Sequence, residues 1–128
     1  MVGVVSAQSW LRPVELEELN EIVAFARYKA ELGGGPQRNK GEAAVLAWTS
    51  VNGGTAIIDE SVGRNIAERD GIPAQGSLWL VIRGYKNKVL DRATAEIMVD
   101  DLIKSGMWLP VANGEALFAW AYAEGLLP

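Results

Sequence analysis

Residues 55–58, Thr-Ala-Ile-Ile, are the one segment of this 128-residue chain that reads as an interior strand. The run is continuous rather than alternating, as in a parallel strand covered on both faces. The segments around it repeat their apolar residues at helical spacing. A parallel strand flanked by helices means an α/β domain. The chain is long enough for one such domain, spanning 1–128, with a real core. A doubly wound sheet normally has more than one interior strand. The reading therefore leaves the sheet short of a central partner, either missing or supplied by another chain.

The spacing predicts a helix over 15–32, with Leu16, Leu19, Ile22, Val23, Ala26 and Ala30 as its apolar stripe and Gly33-Gly34-Gly35-Pro36 as its stop. A second helix over 41–51 is apolar on nearly every side and should lie between the sheet and other helices. Ser61 is placed to cap a helix over 62–69, and 72–74 is a short strand. A helix over 77–85 turns Leu78, Val81 and Ile82 inward and leads to a basic turn at 86–88. Another follows over 92–104, packing Ile97, Leu102 and Ile103. A last strand is expected over 107–111, then a helix over 114–124 capped by Asn113. Residues 2–5 and 10–14 are β-rich, with Pro13 confining the second to an edge or a strand end.

Composition removes several chemistries. There is no cysteine, hence no disulfide scaffold or thiolate, and no histidine, the commonest general base and zinc ligand. Acid–base or metal work falls to carboxylates. A net charge of -4 argues against non-specific coating of nucleic acid but leaves room for a local basic groove. No apolar stretch approaches the ~20 residues of a membrane span. The opening MVGVVSAQSW lacks the basic start of a secretion signal, so a cytoplasmic location is the default.

Asp59 and Glu60 directly follow the 55–58 strand, at the carboxyl edge where open α/β sheets bind ligands. Glu42 stands in the first turn of the preceding helix, which runs antiparallel to the strand, so its start lies at that same edge. Two readings are open. Glu at a helix start and Asp after a strand are each locally favourable, as dipole partner and turn former. Alternatively, the repulsion of adjacent carboxylates is relieved by a hard divalent cation, magnesium or manganese. Such an ion activates water and steadies phosphate charge without any histidine. Arg64, one turn into the next helix, is either a phosphate contact or a surface arginine. Lys86 and Lys88 read as a solvated turn, and Trp48, Trp79, Trp108 and Trp120 as packing residues. Gly33-Gly34-Gly35 lacks a following Gly-Lys-Ser and is no nucleotide loop.

The ordered stretches GEAAVLAW, TAIIDESVGRNIAERDGIP and GSLWLVIRGYKNKVL resemble the carboxyl-terminal part of PIN-domain proteins. The nearest subgroup is one of unknown function related to type II toxin ribonucleases of the VapC kind. The resemblance covers roughly residues 10–120, and its specificity lies in the combination. It implies a three-layer α/β/α fold with a short, mostly parallel sheet, and a Mg2+- or Mn2+-dependent endoribonuclease ancestry. Glu42 matches the helix-borne acid, Asp59 the first acid after the internal strand, and Glu60 stands in place of the usual second Asp. The three are thereby implied as metal ligands and catalytic acids. Gly63 and Arg64 match the Gly-Arg of the motif, making Arg64 the implied substrate contact.

The family also opens with a central strand ending in Asp, a helix and a further acid. In VVSAQS, Ala7 stands where that Asp is expected. The resemblance thus implies that the amino-terminal third is absent and the sheet incomplete. Weak metal binding and weak or absent cleavage of RNA are expected in consequence. A homo-oligomer, for which an exchanged element is one route, and an antitoxin are the expected partners. The competing function is a non-catalytic interaction or assembly module that keeps a remnant of the fold.

Overall fold

The structure, a computed structural model, describes residues 12–128. The strand expected over 2–5 lies outside the described residues. So does the start of the one over 10–14, and the part described, from 12 on, is irregular. Among the described residues there are six helices and two short strands: α1 (Leu19–Leu32), α2 (Lys40–Asn52), β1 (Ala56–Ile57), α3 (Ser61–Arg69), β2 (Ala74–Gln75), α4 (Ser77–Lys86), α5 (Arg92–Lys104) and α6 (Leu117–Ala123). A 3-10 turn, Gly114–Ala116, leads into α6. The mixed α/β class expected from the sequence is the class found.

The strands pair in parallel, Ala56 with Ala74 and Ile57 with Gln75, with α3 as the crossover between them. The amides of Ala56 and Ile58 donate to the carbonyls of Pro73 and Gln75, each at 2.8 Å. Parallel strands place both carboxyl ends on one edge, so Asp59 and Gly76 emerge side by side. This edge positions the site.

Apolar burial divides into two clusters. One joins α1, α2, β1 and α3 through Tyr28, Leu46, Ala56, Ile58 and Ile66. The other joins α4, α5 and α6 through Leu78, Ile82, Val99, Leu117 and Phe118. The inward face expected for α4 is correct, since Leu78, Val81 and Ile82 are all buried. In α5, Ala95 and Val99 form the buried face, with Leu102 and Ile103 packed beside it. Ile97 is 59% exposed, contrary to expectation, because this narrower face excludes it. Asn113 caps as predicted, its side-chain oxygen accepting from the Ala116 amide at 3.0 Å.

The first helix departs furthest from its sequence reading. It begins at Leu19 rather than 15, and Leu19, Ile22 and Val23 are 77%, 48% and 61% exposed. A second helical series, Glu21, Ala24, Phe25, Tyr28 and Leu32, faces the core instead. It wins because its polar tips find partners. Glu21 accepts hydrogen bonds from the Glu17 and Glu18 amides at 2.9 and 3.1 Å, and from Asn52 Nδ2 at 2.7 Å. The carboxylate thus fastens the start of α1 to the end of α2. The Asn52 bond first, then those two amides, hold its pKa below the usual range.

Tyr28 is fully buried and donates its hydroxyl proton to Asp70 Oδ2 at 2.7 Å, joining α1 to the end of α3. Arg69 reinforces the joint, reaching Glu31 and Asp70 at 2.8 Å each. Three smaller expectations are corrected. Residues 107–111 form no strand, since they lack a ladder partner among the described residues. Ser61 opens α3 but makes no side-chain cap, because Glu60 occupies the N-cap position. The second strand is Ala74–Gln75 rather than 72–74, set by its register with β1.

Tyr28→Phe should cost about 1.5–3 kcal/mol in urea unfolding, the loss of a hydrogen bond to a charged group. Arg69 first, then Tyr28, lower the Asp70 pKa to about 2. The stability this contributes is present above the ordinary value of 3.8 and lost as pH falls toward 2. The gap between wild type and Tyr28→Phe should therefore narrow across that window. A constant gap would show that the Asp70 bond is not its source.

Candidate carboxylate site

Asp59 leaves β1 and turns across the ladder to the start of α4. Its Oδ1 accepts from the Ser77 amide at 2.7 Å and its Oδ2 from the Ser77 hydroxyl at 2.6 Å. The reason lies in Gly76, the N-cap residue of α4, which has no side chain with which to cap its own helix. Asp59 supplies the missing oxygen from the neighbouring strand, and its negative charge suits a helix amino terminus. A Cβ on residue 76 would lie 3.0 Å from Asp59 Oδ1, so a side chain there would crowd the carboxylate and press it back by a few tenths of an ångström.

Glu42 lies in the first turn of α2, as expected, and points at Gly63 of α3. A Cβ there would stand 2.9 Å from both Glu42 Oε2 and Ile58 Cγ2. Gly63 is thus the gap into which the carboxylate and the strand end fit. Burial first, and the charge of Glu60 second, push the Glu42 pKa up. Two like charges sharing a partly desolvated lip account for the shift.

The three acids singled out in the sequence border one hollow of about 720 Å3, together with Ser61, Gly106, Met107 and Trp108. They do not play equal parts. Glu42 and Glu60 face each other electrostatically, while Asp59 is hydrogen-bonded to Ser77. Among the described residues, no group of three or more acids closes into a metal-holding cluster. Two mutually repelling carboxylates nonetheless suit magnesium, which is usually held by one or two carboxylates and keeps several waters. Glu42 and Glu60 are thus the residues that could hold a hard cation, with Asp59 at the margin.

Arg64 borders an adjoining cleft of about 440 Å3 with Asp59, Gln75 and Gly76, on the side toward the strand ends as the helix register suggested. Its Nη1 would lie 3.8 Å from a Cβ on residue 76, and among the described residues it forms no ion pair. Lys86 ends α4, about 14 Å along the axis from Ser77, and Lys88 follows in the turn. Both are exposed and remote from the acids.

The sequence reading missed one residue of the site. Trp48, Trp79 and Trp120 are half-buried, and Trp120 packs against the second apolar cluster as expected, but Trp108 is 81% exposed and lines both hollows. Its neighbours explain this. Leu109 is buried and Met107 packs against the second cluster, which turns the side chain between them outward. The available signal was its place between Gly106 and Pro110, in a segment without period.

Asp59→Ala should lose about 0.5–2 kcal/mol, as removal of a helix cap does. An unchanged urea midpoint would show that the cap carries no stability. With pH, Glu42 behaves oppositely to Asp70. Its raised pKa contributes stability below the ordinary carboxylate value that is lost as pH rises through the folded-state value. Glu42→Gln should therefore hold its stability from acid to neutral pH better than wild type does, measured by melting at a series of pH values. Parallel pH profiles would contradict the shift.

The sequence profile of a family described as a PIN domain matches residues 4–118. No curated protein and no solved structure matches the chain. The matched span takes in the acid-bearing helix, the strand with its two following acids and the Gly63-Arg64 pair, and it ends just inside α6. The chain belongs to the PIN-domain family.

Proposed function

We propose that this PIN-domain chain is a metal-dependent ribonuclease of low intrinsic activity. The observation that supports it best is the hollow shared by Glu42, Asp59 and Glu60 at the carboxyl edge of the sheet, with Glu60 acting on the charge of Glu42. In this reading Glu42 and Glu60 hold a Mg2+ or Mn2+ ion. When bound, that ion supplies an activated water and charge neutralisation at a phosphodiester. Asp59 keeps α4 and the strand ends in register beside it, and retains a lone pair on each oxygen for a bridging water. Arg64, which forms no ion pair among the described residues, borders the same edge and orients the phosphate. The low activity follows from two free carboxylates where a fuller set would grip the ion harder. A toxin role, with a small antitoxin partner and a cytoplasmic setting, is the narrower form of this proposal. Among the described residues no helix is long and apolar enough to cross a membrane.

One observation favours a second reading, an assembly module that keeps the fold without catalysis. The stripe Leu19, Ile22 and Val23 on α1 is an apolar face exposed to solvent, of the kind a second copy covers. The two readings part on one preparation. The ribonuclease reading predicts slow cleavage of single-stranded RNA by pure protein in Mg2+ or Mn2+, lost in Glu42→Gln and in Glu60→Gln. It also predicts that Mg2+ raises the melting temperature of wild type but not of Glu42→Gln. Absence of both effects, with a dimer in sedimentation that Ile22→Asp dissociates, would favour the assembly reading.

A further inference from the structure

Trp108 exposes most of its indole to water, which forgoes the burial that so large an apolar side chain favours. Its backbone is nevertheless held firmly. The amides of Gly106 and Met107 donate to the carbonyls of Ile103 and Leu102 at 3.0 and 3.2 Å, and Leu109 is buried. The segment is therefore anchored on both sides of a side chain presented outward. That side chain stands between two hollows of mixed polar and apolar lining. On one side is the carboxylate lip of Glu42 and Glu60. On the other is the cleft of Arg64, Gln75, Trp79, Trp120 and Glu124.

The other aromatic residues of that cleft have less to offer. Trp79 lies under the Arg83 guanidinium at 5.5 Å, and Trp120 packs against the second apolar cluster. Trp108 alone combines an open ring face with a neighbouring cation that forms no ion pair among the described residues, Arg64. An open indole, an arginine at the rim and hydrogen-bonding groups such as Gln75 and Glu124 make a surface suited to a planar base with a phosphate attached. A cleft of about 440 Å3 falls within the ordinary range for small-molecule sites.

We infer that Trp108 is a stacking platform for a base of single-stranded RNA, with Arg64 on the adjoining phosphate. The position of the platform at the rim of the carboxylate lip would deliver the neighbouring phosphodiester to those acids. The choice of RNA as the strand rests on the ribonuclease reading, while the stacking contact is measured independently of cleavage. Stacking is sequence-tolerant, because every base has a π-face. The contact therefore confers preference for unpaired strands rather than for a motif.

The test is binding of a short fluorescent single-stranded RNA by anisotropy, using the full chain, with the RNA checked intact on a gel. An abasic phosphodiester of equal length serves as the second probe. Trp108→Ala should weaken RNA binding about tenfold or more, while Trp108→Tyr retains it. Trp108→Leu, which keeps apolar bulk without a ring, should fall with the alanine variant. On the abasic strand, wild type and Trp108→Ala should bind alike. Equal RNA affinity for wild type and Trp108→Ala, equal wild-type affinity for the two probes, or no RNA binding by wild type would each overturn the inference. Melting curves check that the variants remain folded. Stacking without any cleavage would leave this inference standing while the ribonuclease reading fails. Cleavage with Trp108→Ala binding as wild type would do the reverse.

Discussion

The bond from Asp59 to Ser77 is the constraint on which the site depends. A sheet of two residues per strand has too few ladder bonds to fix its own edge. The Asp59 carboxylate crosses from the end of β1 to the amide and hydroxyl that begin α4, and so locks the edge from outside the ladder. It also gives α4 the cap that Gly76 cannot provide. Without it, the position of Glu60 relative to the second cluster, and therefore to Trp108, would be left to loop packing alone.

Two glycines make the lip possible. Gly76 admits Asp59 to α4, and Gly63 admits Glu42 and Ile58 to α3. A methyl group at 63 would stand 2.9 Å from Glu42 and Ile58 and force them to shift, and one at 76 would crowd Asp59 at 3.0 Å. The consequence is electrostatic. Glu42 is drawn into a partly desolvated hollow beside Glu60, where its negative charge is disfavoured until something positive joins it. The acids of the site are therefore held in two conditions. Asp59 is satisfied by hydrogen bonds, whereas Glu42 and Glu60 confront each other. This confrontation at the mouth of the sheet is the feature on which the proposed cation site rests.

Much of this was legible in the sequence, and the failures share a cause. The continuous run at 55–58 and the acids after it announced a parallel strand and its edge, because strand direction alone decides where those acids emerge. The helix over 92–104 was legible in its extent, though not in its buried face, and its cap at Asp91, accepting from the Thr94 amide, matches that start. By contrast, α1 carries two series of core-compatible residues on roughly opposite sides. The sequence reading followed the apolar residues Leu19, Ile22 and Val23, and a series that includes Glu21 and Tyr28 does not stand out by hydropathy. Only the distant partners, Asn52 and Asp70, reverse that choice. Trp108 was misread likewise, since its exposure follows from the burial of Leu109 and the packing of Met107 beside it. The Asp59 bond was not foreseeable either, because it joins residues 18 apart through a turn geometry that no period encodes.

The central claim is that Glu42 and Glu60 share one lip and that a hard cation relieves their repulsion. It is tested most directly by following the Glu42 carboxyl carbon by NMR through a pH titration, in wild type and Glu60→Gln, with and without Mg2+. Without metal, wild-type Glu42 should titrate above the ordinary carboxylate value. Glu60→Gln should lower it in part, since burial is the larger cause. Magnesium should lower it further in wild type. Titration at the ordinary value, unmoved by Glu60→Gln and by Mg2+ alike, would contradict the account.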